Sequence, residues 1–215
     1  MAQLDRRTAA LGIGLAGMMP MLPACSAGIA KSAARRPRAD LYNCEGCEGI
    51  YERVAGGAQA VIADRAEPGE RMRIDGRVLA ADGVTPAAGV LVYAYHTNAA
   101  GLYANGTRDT EWSRRHGRLR GWVRTAADGS YRFDTIKPAP YPKETMPAHV
   151  HLTIGEAGRR PYYIDDIVFA GEFGVTPDYI RRQELRGGSG IARLHRDPGG
   201  LLRIRRDIVL EPHPA

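Results

Sequence analysis

The chain has 215 residues, and its 30 Lys and Arg against 24 Asp and Glu give a formal net charge of +6. The arginines are spread over loops and the C-terminal end with few aromatic residues between them, which argues against a nucleic-acid-binding surface. The length suits one domain that buries roughly 70% of the surface of its extended chain.

The N-terminal residues have the pattern of an export signal. Arg6 and Arg7 precede an uncharged apolar run of about 14 residues, shorter than the ~20 that a membrane-spanning helix needs. The run ends in a lipobox-like segment before Cys25. Residues 1–24 are therefore predicted to be a signal peptide, and Cys25 to carry a lipid anchor on the periplasmic or outer face of the cell envelope. The paired arginines favour the Tat route, and an ordinary Sec signal is the alternative.

A tether and a cysteine pair follow. Residues 31–40 are rich in Ala, Arg and Pro, and residues 25–43 are predicted to link the membrane to a folded domain at 44–215. Outside the cytosol, Cys44 and Cys47 are expected to form a local disulfide. A zinc site at this pair would need two more ligands, and none stands out nearby.

Short apolar or alternating segments separated by turns fill the rest of the chain. They predict an all-β sandwich with a short helix near 179–185. Asp128-Gly129 is the strongest hairpin signal. Residues 97–118 and 173–197 are long, Gly-rich segments that are expected to form the loops around an active site. The predicted strands are 72–79, 89–95, 120–125, 130–136, 149–154, 162–169 and 202–210.

Two histidines and two tyrosines form the candidate site. His149 and His151 would share one face of a strand with their bases about 7 Å apart, close enough to bind one metal ion. Tyr141 lies between two prolines, which restrict its backbone, and Tyr103 is further upstream. A phenol has a pKa near 10, so it binds a metal at neutral pH only where a hard, highly charged cation such as Fe(III) offsets its deprotonation.

These residues resemble the intradiol ring-cleavage dioxygenases, the family of protocatechuate 3,4-dioxygenase and catechol 1,2-dioxygenase. The resemblance runs from about Asp75 to Gly171. It is carried by residues 98–103 (NAAGLY), 128–133 (DGSYRF), 135–142 (TIKPAPYP) and 147–151 (PAHVH).

The resemblance implies an Fe(III) site held by Tyr103, Tyr141, His149 and His151. Tyr141 would be the tyrosinate that leaves when substrate binds and that helps to take a proton from it. The implied substrates are a catechol-type diol and O2, and the product is a muconate-type diacid. A homo-oligomer is left open.

Three positions depart from the family pattern. Met146 stands where an arginine usually precedes Pro-Ala-His, and Arg120 or Arg160 could replace that charge from another strand. Asp166 stands where a glutamine is usual and could either accept a hydrogen bond behind a metal ligand or be a buried carboxylate with a structural partner. Lys143, at a position that is often aromatic, predicts a more polar pocket rim.

Two rival functions are a non-catalytic transthyretin-like envelope module and a hydrolytic zinc site at His149 and His151. The first has no need of all four residues together, and the second lacks a third ligand with clear spacing. His96 and His116 are expected to be solvated or to lie behind the ligands. Trp122 is expected in the core.

Overall fold

The computed structural model describes residues 35–106 and 110–215. It contains eleven strands in two sheets, one 3-10 helix and two short α-helices. No helix among the described residues has the length and apolar character to cross a membrane. The strands are β1 (Gln59–Val61), β2 (Arg71–Leu79), β3 (Leu91–His96), β4 (Arg120–Arg124), β5 (Ser130–Ile136), β6 (His149–Gly155), β7 (Tyr162–Phe169), β8 (Ile191–Ala192), β9 (His195–Arg196), β10 (Leu202–Arg205) and β11 (Ile208–Val209). The helices are the 3-10 helix Cys47–Tyr51, α1 (Glu111–His116) and α2 (Pro177–Arg181).

The first sheet has the order β1-β5-β2-β10-β9, with β11 paired to β2. Its centre is the antiparallel pair β2 and β5, in which Ile74 lies opposite Phe133. Apolar residues alternate with polar ones along β2, so one face is buried and the other faces solvent. This alternation makes the sheet one layer of a sandwich.

The second sheet has the order β4-β3-β6-β7-β8 and carries the histidine pair on its middle strand, β6. β3 and β7 flank β6 on either side, both antiparallel to it. The core fills the space between the sheets, where Val92 and Ile154 of this sheet join Ile74 and Phe133 of the other in one buried cluster. The all-β sandwich is therefore confirmed.

The register between β6 and β7 is interrupted between Val150 and Leu152. Val150 pairs with Ile167 and Leu152 with Ile164, so two residues of β7, 165 and 166, stand opposite the single residue between them on β6. This is a β-bulge on β7, and it breaks the strand's alternation at two successive half-buried aspartates. The irregularity lies directly beside the candidate site.

The predicted loops contain more regular structure than expected. Residues 97–118 include α1, whose first turn is capped by the Thr110 hydroxyl. Residues 173–197 include α2, β8 and β9, and α2 begins and ends earlier than the predicted 179–185 because Thr176 caps it and Pro177 opens it. The predicted strand 202–210 is divided into β10 and β11, because Arg206 turns inward to donate to the carbonyls of Gly187 and Gly188.

The described part of the predicted tether is packed rather than extended. Leu41 is fully buried, and Arg35 donates to the carbonyl of Leu185 and to the carboxylate of Glu211. The folded domain therefore includes residues 35–43, because these contacts fix the segment to the C-terminal end. The predicted signal peptide and Cys25 lie outside the described residues.

Candidate metal centre

The four residues predicted to bind iron meet at one point. The Tyr103 hydroxyl lies 2.7 Å from that of Tyr141 and 2.8 Å from Nε2 of His151. The Tyr141 hydroxyl lies 3.1 Å from Nε2 of His149, and the two Nε2 atoms are 3.1 Å apart. Four donor atoms therefore form a closed ring of contacts.

β6 presents the two histidines, and the bulge on the next strand supplies a partner behind one of them. His149 and His151 lie on the same face of β6, with their rings edge to face at 4.5 Å. Asp166, in the bulge of β7, accepts a hydrogen bond at 3.0 Å from Nδ1 of His151. The carboxylate thus fixes the orientation and tautomer of that imidazole.

A tight loop brings Tyr103 to the cluster. The side chain of Asn98 accepts hydrogen bonds from the backbone nitrogens of Ala100 and Leu102 and closes the loop. Gly101 has φ +77° and lies so close to Pro140 that a Cβ would be 2.1 Å from the proline carbonyl oxygen. Only glycine allows this approach, which joins the Tyr103 loop to the segment that carries Tyr141.

The cluster lacks the protons that its contacts require. Carbonyls and carboxylates only accept, so Nδ1 of His149, 2.7 Å from the Pro147 carbonyl, and Nδ1 of His151, 3.0 Å from the Asp166 carboxylate, each carry a proton. Burial lowers the pKa of His149, so its Nε2 presents a bare lone pair towards Nε2 of His151. The two phenols and Nε2 of His151 can supply at most three protons for four contacts, so at least one contact joins two lone pairs. A cation at the shared centre removes this conflict.

The spacing and chemistry of the donors fit a ferric ion. Neighbouring donors are separated by 2.7–3.1 Å, close enough for all four to bind one ion. Burial, together with the hydrogen bond between the phenols, raises the pKa of Tyr103, and burial also raises the pKa of Tyr141. A hard, highly charged cation is therefore needed to deprotonate them. Two phenolates would leave Fe(III) with a net charge of +1.

Burial and neighbouring groups set the protonation of His149 and of Asp166 at the centre. Burial, and next the nearby His151, lower the pKa of His149, so its imidazole is neutral at neutral pH. Burial opposes the charge on Asp166, but the adjacent His151 holds the pKa of that carboxyl below its usual range. His149, His151 and Asp166 also place three metal-binding atoms within 4.8 Å of one another. Because Asp166 bonds Nδ1 of His151, it lies behind the imidazole rather than at the convergent centre.

The sequence-based interpretation missed an aromatic stack behind His151. Tyr95 stacks on the His151 ring at 4.4 Å, and His116 stacks on the other face of Tyr95 at 3.9 Å. His116 also contacts the Tyr93 hydroxyl at 2.9 Å. The alternation of side chains along β3 places residues 93 and 95 on one face of the sheet. This pattern in the sequence could have predicted the stack.

His96 and His116 are buried, so the expectation that they are solvated is wrong. His96 is fully buried between the carbonyl of Thr97 and the hydroxyl of Thr135, each 2.7 Å from a ring nitrogen. His116 is 5% exposed and stacks on Tyr95, which lies between it and the His151 ring. Trp122, 6% exposed, packs in a cluster with Tyr93, which confirms its core position.

The two arginines suggested as replacements for the charge missing at Met146 have other partners. Arg120 is buried, forms an ion pair with Glu52 and lies over the Trp122 ring at 5.2 Å. Arg160 lies over Tyr42 at 5.2 Å. Met146 itself is 45% exposed. Both arginines are held by these contacts, and none of the contacts joins them to the four donors.

One cavity is lined by residues of the centre, and a larger one lies beside the segments that adjoin it. One, of about 270 Å³, is lined by His151, Asp166 and Tyr95 together with Cys44 and Cys47, which the structure joins in a disulfide. The other, of about 980 Å³, lies between the segment that links Tyr141 to His149 and the segment around α2. We call the second cavity the outer cleft. Its lining includes Lys143, Met146, Pro147, Phe173, Tyr179 and Arg182.

Comparisons with known proteins agree with this geometry. The family model described as "Dioxygenase" matches residues 55–187. The chain is 30% identical over 154 residues to catechol 1,2-dioxygenase 2 of Acinetobacter lwoffii, covering 59% of this chain and 54% of that protein. It is 33% identical over 136 residues to chlorocatechol 1,2-dioxygenase of Rhodococcus opacus, covering 54% and 50%. The chain thus spans about half the length of these curated relatives.

A solved structure shows the same fold. The crystal structure of catechol 1,2-dioxygenase from Pseudomonas arvilla C-1 superimposes with a TM-score of 0.54 at 25% identity, covering 76% of this chain and 60% of that chain. The family model covers more than half of this chain and includes all four donor residues. The chain belongs to the intradiol dioxygenase family, whose members generally use iron.

Proposed function

We propose that this protein is an Fe(III)-dependent intradiol dioxygenase that opens a catechol-type diol with O2 to a muconate-type diacid. The observation that carries the proposal is the shortage of protons among the four convergent donors. Tyr103, Tyr141, His149 and His151 would hold the ion. Bound ferric iron would lower the pKa of the diol hydroxyls and draw electron density from the ring.

The protein's own residues divide the remaining tasks. Tyr141 is held between Pro140 and Pro142 at the half-exposed side of the cluster. Its phenol would be the metal donor that the incoming diol displaces, and it is placed to accept a proton from that diol. Tyr103 is more enclosed, between the Asn98 loop and His151, which suits a donor that would remain bound to the metal. The bond from His151 to Asp166 keeps that imidazole in one orientation throughout.

The test is the colour and the oxygen uptake of the iron-loaded protein. We expect a red-brown protein with a tyrosinate-to-iron absorption band that Tyr103→Phe or Tyr141→Phe alters or removes. Tyr51→Phe, at a tyrosine that is 58% exposed, is the matched control and should leave the band unchanged. Catechol should consume one O2 per molecule, because both oxygen atoms enter the diacid. A colourless protein after iron loading would overturn the proposal and favour a binding module.

We also propose that the protein is exported and anchored by a lipid on Cys25. The support is the N-terminal pattern of paired arginines, a short apolar run and a lipobox-like segment. Cell fractionation should place the full chain in the membrane fraction of the envelope, and Cys25→Ala should release it. Cytosolic protein with its N-terminus intact would contradict this assignment.

A further inference from the structure

The outer cleft is much larger than a single diol ring requires. Its volume of about 980 Å³ stands at the top of the ~300–1,000 Å³ range of pockets for drug-sized ligands. The four donor residues are not part of its lining. A ligand that bound at the donors and also filled this cleft would therefore carry a substituent that extends beyond the ring.

The cleft lies next to the donor cluster, because residues of its lining adjoin Tyr141 and His149. Lys143 follows Tyr141 by two residues, so their Cα atoms lie within ~7 Å of each other. Pro147, which also lines the cleft, accepts the hydrogen bond from Nδ1 of His149. Tyr179, which also lines the cleft, lies close to Asp166. Burial raises the pKa of Tyr179, and the charge of Asp166 raises it further.

Lys143 occupies a backbone conformation that rarely suits its residue type. Its φ is +67°, and Leu185 is the only other non-glycine residue with positive φ among those the structure describes. Such a conformation costs a lysine ~1 kcal/mol or more, and strain of this kind concentrates at functional sites. Glycine or asparagine would adopt this conformation with less strain. The backbone conformation therefore does not explain why this residue is a lysine, whereas a role for the charged side chain does.

Arg182 supplies the second cation of the cleft. It follows directly after α2, and its side chain forms no ion pair with any residue in the described parts of the chain. Its neighbour Arg181 is paired with Asp178 instead. The lining thus holds two cations, Lys143 and Arg182, against the single carboxylate of Glu144.

We propose that the outer cleft binds the side chain of a catechol that ends in an anionic group, with Lys143 and Arg182 as the anion subsite. This proposal rests on the proposed function, which places the diol ring at the four donors. Met146, Pro147 and Phe173 would pack on the carbon skeleton of the side chain. Lys143 and Arg182 are both exposed, so the subsite is screened by salt and adds affinity by a moderate factor.

Three ligands isolate the charge and the length of the side chain. The first is 3,4-dihydroxycinnamate, the second its neutral amide of nearly the same shape, and the third is catechol itself. Dissociation constants are measured by calorimetry with metal-free protein, and KM by oxygen uptake with iron-loaded protein. We expect the acid to be preferred over the amide by about tenfold at low salt, with the preference shrinking as salt is added.

The variants test whether the two cations cause that preference. Lys143→Asn keeps a residue that tolerates positive φ, and Arg182→Gln removes the second charge. The double variant should bind the acid and the amide equally. Arg181→Gln is the matched control, because it removes an adjacent charge that is paired with Asp178. It should retain the tenfold preference.

The outcomes separate this proposal from the proposed function. Catechol turnover without a preference for the acid, or a preference that the double variant retains, would overturn the anion subsite and leave the dioxygenase assignment standing. A preference in metal-free protein that depends on both cations would support the subsite even if no diol consumed oxygen. That second result would overturn only the proposed reaction.

Discussion

Two buried imidazole sites lie on neighbouring strands of the second sheet, and they differ in how their nitrogens are satisfied. At His96, on β3, Nδ1 donates to the Thr97 carbonyl and Nε2 accepts from the Thr135 hydroxyl, both at 2.7 Å. At the donor cluster, on β6, the outer nitrogens of His149 and His151 have acceptors, but the inner nitrogens face each other. One site is closed by protein atoms, and the other has fewer protons than contacts.

Burial and pKa do not distinguish the two sites. His96 and His149 are both buried, and burial lowers the pKa of each. The difference lies in the number of protons available for the hydrogen-bond contacts. At His96 each contact has a proton, whereas the donor cluster has fewer protons than contacts. A buried histidine is therefore structural or functional according to its partners rather than its exposure.

The largest effect is expected from removing one inner nitrogen. His149→Ala should abolish the iron-dependent absorption band and lower oxygen uptake by roughly a thousandfold or more, because the metal contributes several kcal/mol to the reaction. His96→Leu should retain iron and colour while lowering the free energy of unfolding. Iron content and oxygen uptake of both purified variants check the comparison. Equal iron loss in both would remove the distinction between the sites.

A smaller effect is expected at the carboxylate behind His151. Asp166→Asn replaces a charged acceptor of the Nδ1 proton with an amide, so the imidazole is less firmly oriented and less basic. Iron affinity should fall about 10- to 100-fold, measured by competition with a chelator. Asp165→Asn, at the neighbouring bulge position, is the control, because Asp165 accepts from the backbone of Leu185 and Arg186. An unchanged affinity in Asp166→Asn would show that this bond does not support the metal.

At the closed site, one lost hydroxyl should affect stability and leave iron binding intact. Thr135→Val leaves Nε2 of His96 buried without a donor, which costs about 1–3 kcal/mol of unfolding free energy. Chemical denaturation of the metal-free variant measures the loss, and the absorption band of the iron-loaded variant should be unchanged. Loss of the band would show that the two sites are coupled across β3 and β6.

The smallest effect is a gradual one with pH. Burial lowers the pKa of His96 from 6.5 to about 4, so between these values the unfolded chain binds more protons than the folded one. Stability contributed by this group is present above pH 6.5 and is lost as the pH falls towards 4. Metal-free protein should therefore lose stability over that range, and His96→Leu should reduce the slope.

Local sequence patterns were sufficient for most of the fold. Alternation along β2 and β5 and the Asp128-Gly129 turn placed both strands within a residue of their observed bounds. The segments that the patterns missed, such as α1 and β8, are short elements fixed by caps and by pairing with distant strands. Periodicity cannot report on such elements, because they bury too few residues to form a pattern.

The sequence by itself determined the types and order of the four donors, because two tyrosines and two histidines in those contexts define the chemistry. Only the tertiary structure decided that they meet, since Tyr103 and His151 lie 48 positions apart and come together through the contact of Gly101 with Pro140. It also decided the role of Asp166, which the β7 bulge turns towards His151. The physical reason is that a residue's type sets what it can bind, whereas lone pairs converge only after distant loops and strands have packed.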